Sequence, residues 1–333
     1  MNLRVSYSKT DCFVRIKKSV CCCGLLLLLG ACQNTNTNEL KIKVVALNGP
    51  SALSLMPLME EARKDTSVYW STEVLSDPDQ AKIKMVQAEA EWVIVPFNMA
   101  ALLYNKGCDY QLVAVPIWGT LFMAGFDSIT SWNQLKGRTI HAMGKGLTPD
   151  IVLRVLLQKN GLRPDTDVFI DYSFPGHVEL SMAAAAGKTP LSLLAEPMLS
   201  VAMEKNPALH IIFNLANEWN ASFSNRYPLA QGALMVKRSY AEKNPEQVKD
   251  FTARYRKSLQ WTVTHADEAA KLSVKLGLMP SVISAQNAIP RCGLNFVVAD
   301  SAKNQIYKVL QIYLTQNPMV IGGKMPDNGF IYK

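Results

Sequence analysis

A β-branched apolar run from Lys41 to Leu47 meets the polar turn Asn48-Gly49-Pro50-Ser51-Ala52, and Leu53 to Lys64 then repeats apolar residues at helical spacing. The pattern predicts a buried strand, a tight turn and a helix with Ser51 as its N-cap. Pro57 falls well inside that helix and predicts a kink or a break after one turn. The rhythm then recurs. Ser67 to Val74 alternates as a strand, Asp77-Pro78-Asp79 turns the chain, and Gln80 to Ala88 reads as a helix. Trp92 to Val95 is a third strand, closed by Pro96-Phe97-Asn98, and Met99 to Lys106 is a helix stopped by Gly107. This β-α-β-α-β-α order implies an α/β unit with a mainly parallel sheet and right-handed crossovers.

Two extended runs follow with no helix between them, Tyr110 to Ile117 and Leu121 to Phe126, around Trp118-Gly119-Thr120. They read as a crossing into a second lobe. There Trp132 to Leu135 makes a helical turn and Arg138 to Met143 a strand. Thr148 fits an N-cap and Pro149 a first helical position, and Gly161 ends that helix. Strands at Val168 to Ser173, Leu191 to Ala195 and His210 to Phe213 alternate with helices at Val178 to Ala186 and from Glu196-Pro197 to Lys205. Leu229 to Lys237 is apolar and reads as the return crossing. From Tyr240 the chain reads as mostly helical, with a stripe of Val248, Phe251, Tyr255 and Leu259 and a last helix capped by Asp300. Gly322 to Pro326 reads as a turn.

Composition narrows the class. Apolar residues make up 49% and charged residues 19%, a globular balance. The net charge is +8, half of it carried by residues 1–31, and no block of like charges follows. Clustered Lys and Arg would mark a nucleic-acid partner, so none is expected. Arg4, Lys9, Arg15, Lys17 and Lys18 lead into an apolar core from Val20 to Leu29, and Leu29-Gly30-Ala31-Cys32 closes it. That order of basic lead, short core and small-residue ending is a secretory signal, too short to span a bilayer. The ending resembles a bacterial lipobox, which implies cleavage before Cys32 and lipid on its thiol. Gln33 to Asn38 is a polar tether. Only Cys108 and Cys292 follow Cys32, which leaves a disulfide between them open. Neither these cysteines nor the scattered His141, His177, His210 and His265 have metal-ligand spacing, and no metal or cofactor is expected.

Several stretches together resemble a known family: Ile42 to Ser51, Pro96 to Gly107, Leu135 to Ile140, Leu194 to Pro197 and Asn244 to Phe251. The chain resembles the solute-binding lipoproteins of ABC importers, in the nitrate, sulfonate, taurine and thiamine-precursor group. The resemblance implies a two-lobed periplasmic-binding-protein-like fold of type II, each lobe a mainly parallel sheet flanked by helices. The expected division is a signal at 1–31, a tether at 32–39 and a first lobe at 40–118. A second lobe at 119–230 follows, with 231–333 returning to pack mainly on the first. It further implies a monomer, exported and lipid-anchored to a bacterial membrane, facing periplasm or exterior. It would deliver a small organic solute to a membrane permease and a separate ATPase subunit. No phosphate-binding loop of the Walker type occurs in the chain itself.

Four strand-to-helix turns should meet at the carboxyl ends of the strands, where open α/β sheets hold their ligands. They are Asn48–Ala52, Pro96–Asn98, Lys145–Asp150 and Glu196–Pro197. Asn48, Ser51 and Ala52 offer a polar turn and helix-start amides, which suit an anion or a carbonyl. Asn98 can both donate and accept. Lys145, Gly146 and Thr148 form the matching turn, and Glu196, a poor capping residue, could accept from an amine at the cleft mouth. Phe97, Trp118 and Trp219 are aromatic candidates for the cleft wall, with core packing the competing role. A binding module is expected rather than an enzyme. The alternatives are a thiamine-pyrimidine-synthase-like enzyme on the same fold, suggested by Cys21-Cys22-Cys23 but undercut by its place in the signal, and a ligand sensor for a signalling partner.

Overall fold

The computed structural model describes residues 41–174 and 176–333, so the signal, Cys32 and the tether lie outside the described residues. The chain begins β1 (Ile42–Leu47), α1 (Pro50–Lys64), β2 (Trp70–Leu75), α2 (Pro78–Val86), β3 (Trp92–Pro96), α3 (Phe97–Asn105) and β4 (Tyr110–Trp118). Next come β5 (Leu121–Gly125), β6 (Thr139–His141), α4 (Thr148–Lys159), β7 (Phe169–Asp171), α5 (His177–Ala185), β8 (Leu191–Ala195), α6 (Met198–Lys205), β9 (His210–Asn214) and α7 (Leu215–Ser222). The remainder is β10 (Ala230–Lys237), α8 (Arg238–Lys243), α9 (Pro245–Thr264), α10 (Ala266–Lys275), α11 (Val282–Ala288), β11 (Leu294–Val298) and α12 (Lys303–Gln316). Among the described residues no helix is long and apolar enough to cross a membrane.

The strands form two sheets, one ordered β11-β4-β10-β3-β1-β2 and the other β7-β6-β8-β5-β9. β1 pairs parallel with β2 and β3, and β6 with β7 and β8, as helical crossovers require. β10 runs antiparallel to β3 and β4, and β5 antiparallel to β8 and β9. These reversed strands follow from the two crossings. β4 ends the first sheet's parallel set, the chain passes through Gly119, and β5 enters the middle of the second sheet pointing the other way. β10 brings the chain back between β3 and β4. Val44, Val45 and Ala46, Val93 and Ile94, and Leu193 are buried, because helices cover both faces of each sheet. Trp132 stacks on Phe213 at 5.0 Å in the second lobe, and Trp92 packs on Phe251 at 4.8 Å in the first.

Several local expectations shift. Gly49, not Ser51, holds the N-cap position of α1, because Pro50 takes the first helical place with its preset φ. Thr148 is likewise the first residue of α4, with Leu147 in the cap position. Ala302 rather than Asp300 precedes α12. The region read as mostly helical contains an edge strand, β11, paired with β4, and α7 follows β9 unannounced. Cys108 and Cys292 are both free thiols.

Pro57 neither ends nor splits α1, which runs unbroken for 15 residues. Proline removes the N–H that would bond to the Leu53 carbonyl. Thr262 of α9 offers a replacement donor, its hydroxyl shared between Leu53 O at 3.2 Å and Ser258 O at 3.1 Å, and Ser258 donates to Ser54 O at 2.8 Å. Tyr255 adds a hydrogen bond to Ser54 Oγ at 2.7 Å. One face of α9 thus repairs α1 and fixes the two helices together. Thr262→Val is expected to lower stability by about 1–3 kcal/mol, the usual loss when a buried polar group is left unpaired. In a Pro57→Ala background, where the backbone N–H is restored, the loss should shrink towards zero. Urea unfolding of the four proteins checks this, and an equal loss in both backgrounds would contradict it.

Candidate functional site

The four turns lie at helix starts and meet in two facing pairs. In one, Gly49 adopts a φ of 109°, and a Cβ at that position would sit 3.5 Å from Pro197 Cδ. The start of α1 therefore abuts the start of α6. Ser51 and Ala52 are buried there, and among the described residues their backbone N–H groups have no acceptor. They are among the orphan donors that every helix start exposes. Asn48 stays exposed, its Oδ1 accepting the Gly49 N–H at 2.9 Å.

In the other pair, Asn98 stands one residue into α3 and is almost wholly buried. Its Nδ2 donates to Gly146 O at 3.4 Å and to Val320 O at 3.2 Å, and its Oδ1 accepts from Thr148 Oγ1 at 2.9 Å. The amide thus joins the first lobe, the second lobe and the C-terminal segment. The Gly146 turn is clamped from behind: its N–H donates to Asp150 Oδ2 at 2.8 Å. Asp150 is in turn held by Arg154 at 2.6 Å and by the Tyr172 hydroxyl at 2.5 Å. Lys145 lies with its amine 5.5 Å from the centre of the Tyr172 ring, a cation–π contact, and among the described residues it forms no ion pair with a carboxylate.

Glu196 is the one candidate whose surroundings change its reading. Its side chain is fully buried, and Arg291 Nε donates to Oε1 at 2.6 Å. Both Ser200 groups also face it, the N–H at 3.1 Å and the hydroxyl at 2.8 Å. The carboxylate thus reaches over the first turn of α6 and satisfies a helix-start donor despite being a glutamate. Burial pushes its pKa above the usual carboxylate range, against the opposing pull of Arg291. Phe97 and Trp219 have no exposed surface and pack on Tyr313, each with ring centres 6.4 Å away. Trp118 is partly buried and its Nε1 donates to Asn295 O at 2.9 Å. These three aromatics serve as packing in this arrangement.

The residues not anticipated are Arg291, Ser200 and Asp150. Ser200 stands four residues after Glu196, one helical turn, which is a legible spacing. Arg291 is 95 residues away and carries no local sign of its partner. Two surface pockets lie apart from the Asn98 pair of turns, one of about 400 Å³ beside Asn48, Met59 and Leu276 and one of about 590 Å³ beside Tyr104, Arg238 and Asp327.

A two-lobed α/β protein with paired helix starts between its lobes has the form of a periplasmic-type binding protein. Residues 110–269 match the family model described as NMT1/THI5 like. Over 135 residues the chain is 30% identical to YtlA of Bacillus subtilis, a protein provisionally named as a binding protein. That stretch covers 40% of this chain and only 38% of the relative. An ABC transporter structure from Parabacteroides distasonis superposes with a TM-score of 0.76 at 28% identity, covering 88% of this chain and 99% of the other. The periplasmic aliphatic sulphonate binding protein SsuA of Escherichia coli shares the fold, with a TM-score of 0.69 at 16% identity over 88% and 92% of the two chains. The chain thus resembles the NMT1/THI5-like family over residues 110–269 and carries a periplasmic-binding-protein fold.

The raised pKa of Glu196 sets a sign for pH dependence. The folded protein holds the proton more tightly than the unfolded chain does. The resulting stability is complete below the ordinary value of 4.5 and is lost as pH rises through the folded value. Glu196→Gln removes that titration. Between about pH 4 and about pH 7 the stability of the variant relative to the parent should therefore rise. Urea unfolding across that range measures it, and two parallel pH curves would contradict the assignment.

Proposed function

We propose that the protein is the extracytoplasmic solute-binding component of an ABC importer. It takes a small organic solute between its lobes and passes it to a permease driven by a separate ATPase subunit. It acts as a monomer and a binding module, not an enzyme, and is held at the membrane by lipid on Cys32. Each buried methylene of such a lipid contributes about 0.8 kcal/mol to anchoring. Support for the class comes from the family match and from relatives described as binding proteins or ABC transporter components.

The observation that carries the reading is the pairing of helix starts across the lobes, with the Ser51 and Ala52 N–H groups without an acceptor among the described residues. A helix start favours a negative group by about 0.3–1 kcal/mol, and up to ~2 kcal/mol when partly buried. Asn48, Ser51, Ala52 and Asn98 would contact the solute from the first lobe. Lys145, Gly146 and Thr148 would do so from the second, and Glu196, buried and paired with Arg291, would meet the solute only on displacement of that pair. With the Glu196 charge met by Arg291 and the Lys145 amine, among the described residues, set over the Tyr172 ring without a carboxylate partner, the balance favours a sulfonate-like anion. An amino-pyrimidine of the thiamine-precursor type is the second reading, favoured by the resemblance of the sequence to the nitrate, sulfonate, taurine and thiamine-precursor group.

A thermal-melt screen of the chain beginning at Gln33 tests this, with sulfonates, nitrate, carboxylates, amino-pyrimidines and aromatic amines as probes. At a hundredfold excess over Kd a solute adds about 2.7 kcal/mol, which raises Tm by several degrees. The expected response is to a sulfonate. In Asn98→Ala/Thr148→Ala that shift should fall by more than half. A shift of equal size in the double variant would refute the site, and a response to amino-pyrimidines alone would replace the anion by the second reading.

A further inference from the structure

The first crossing between the lobes bends at a single residue. Gly119 has a φ of 74°, and a Cβ there would lie 2.3 Å from Ala216 Cβ, so only glycine fits. On its first-lobe side, the Trp118 N–H donates to Gly293 O at 2.8 Å. On its second-lobe side, the Glu196 N–H donates to Thr120 O at 3.0 Å. The two arms of the bend are thus tied to two separate segments. Those segments meet again through side chains. Arg291, two residues before Gly293, donates from Nε to Glu196 Oε1 at 2.6 Å and from Nη2 to Ser200 Oγ at 2.7 Å. The contacts close a ring around Gly119, with the ion pair opposite the bend.

A rotation at Gly119 that parts the lobes changes the distance between the Gly293 and Glu196 arms. The ion pair resists that change, because parting the two arms breaks the Arg291 bonds to Glu196 Oε1 and Ser200 Oγ together. We propose that Arg291–Glu196 is a strut across the hinge that holds the lobes in contact before any solute arrives. Arg291 is then a positioning residue for capture, one that sets the lobe angle without touching solute. The link to capture rests on the reading of a solute-binding protein. The strut itself does not, and it can be tested without a solute.

The test is small-angle X-ray scattering of the chain from Gln33 with no solute added, on the parent, Arg291→Lys, Glu196→Gln and the double variant Glu196→Gln/Arg291→Gln. Removing both charges together avoids stranding either one in the interior. Circular dichroism identifies which variants are folded. The expected result is a larger radius of gyration for the folded neutral variants, with Arg291→Lys, which keeps the charge, remaining close to the parent. Equal radii in the parent and every folded neutral variant would overturn the proposal. So would an enlargement in Arg291→Lys as great as in the double variant, because charge would then not be what holds the hinge. An unresponsive solute screen alongside an enlarged double variant would count against the transport reading and not against the strut.

Discussion

A single buried carboxamide governs how the halves of this protein meet. Asn98 donates to Gly146 and Val320 and accepts from Thr148, so its side chain ties α3 to two other segments, the Lys145–Asp150 turn and the C-terminal stretch around Val320. A buried amide without such partners would be heavily destabilising, so the lobes, once closed, are held in register by chemistry and not by shape alone. The same bonds can be exchanged. A solute that supplies an acceptor and a donor between Asn98 and Thr148 replaces them with little net change, and its remaining contacts then favour binding.

The second pair of turns complements this one. Where the Asn98 amide is engaged, the amides of Ser51 and Ala52 have no acceptor among the described residues, and the neighbouring carboxylate of Glu196 is engaged by Arg291 and Ser200. One side of the seam is an exchangeable neutral bond, and the other combines a fixed ion pair with open donors. The clamp of Asp150, Arg154 and Tyr172 behind Gly146 keeps the second lobe's turn rigid enough to present Lys145 and Thr148 together. Both crossings of the chain feed this region, which is why residues remote in sequence converge on it.

The βαβ rhythm of both lobes was legible because periods of 2 and 3.6 are local signals, and the turns were legible because Gly49, Pro50, Gly107 and Pro149 punctuate them. Helix caps were misplaced by a residue, at α1 because Pro50 occupies the first helical position and at α4 because the helix already begins at Thr148. Three features depended on distant partners and left no local trace. Thr262 repairs the gap that Pro57 makes in α1, so an apparent helix breaker is tolerated. β11 is a short run whose strand state depends on pairing with β4. Arg291 changes Glu196 from a free acceptor into half of an ion pair, and only the folded chain brings the two together.

The central claim is that solute is held between the paired helix starts. A crystal structure of the protein bound to the first solute that raises its melting temperature tests this most directly. The account predicts solute density between the Ser51 and Ala52 amides and the Lys145–Thr148 turn, with the direct Thr148–Asn98 bond broken and each group turned to the solute. Density in the pocket beside Tyr104, Arg238 and Asp327, with the Thr148–Asn98 bond intact, would contradict it.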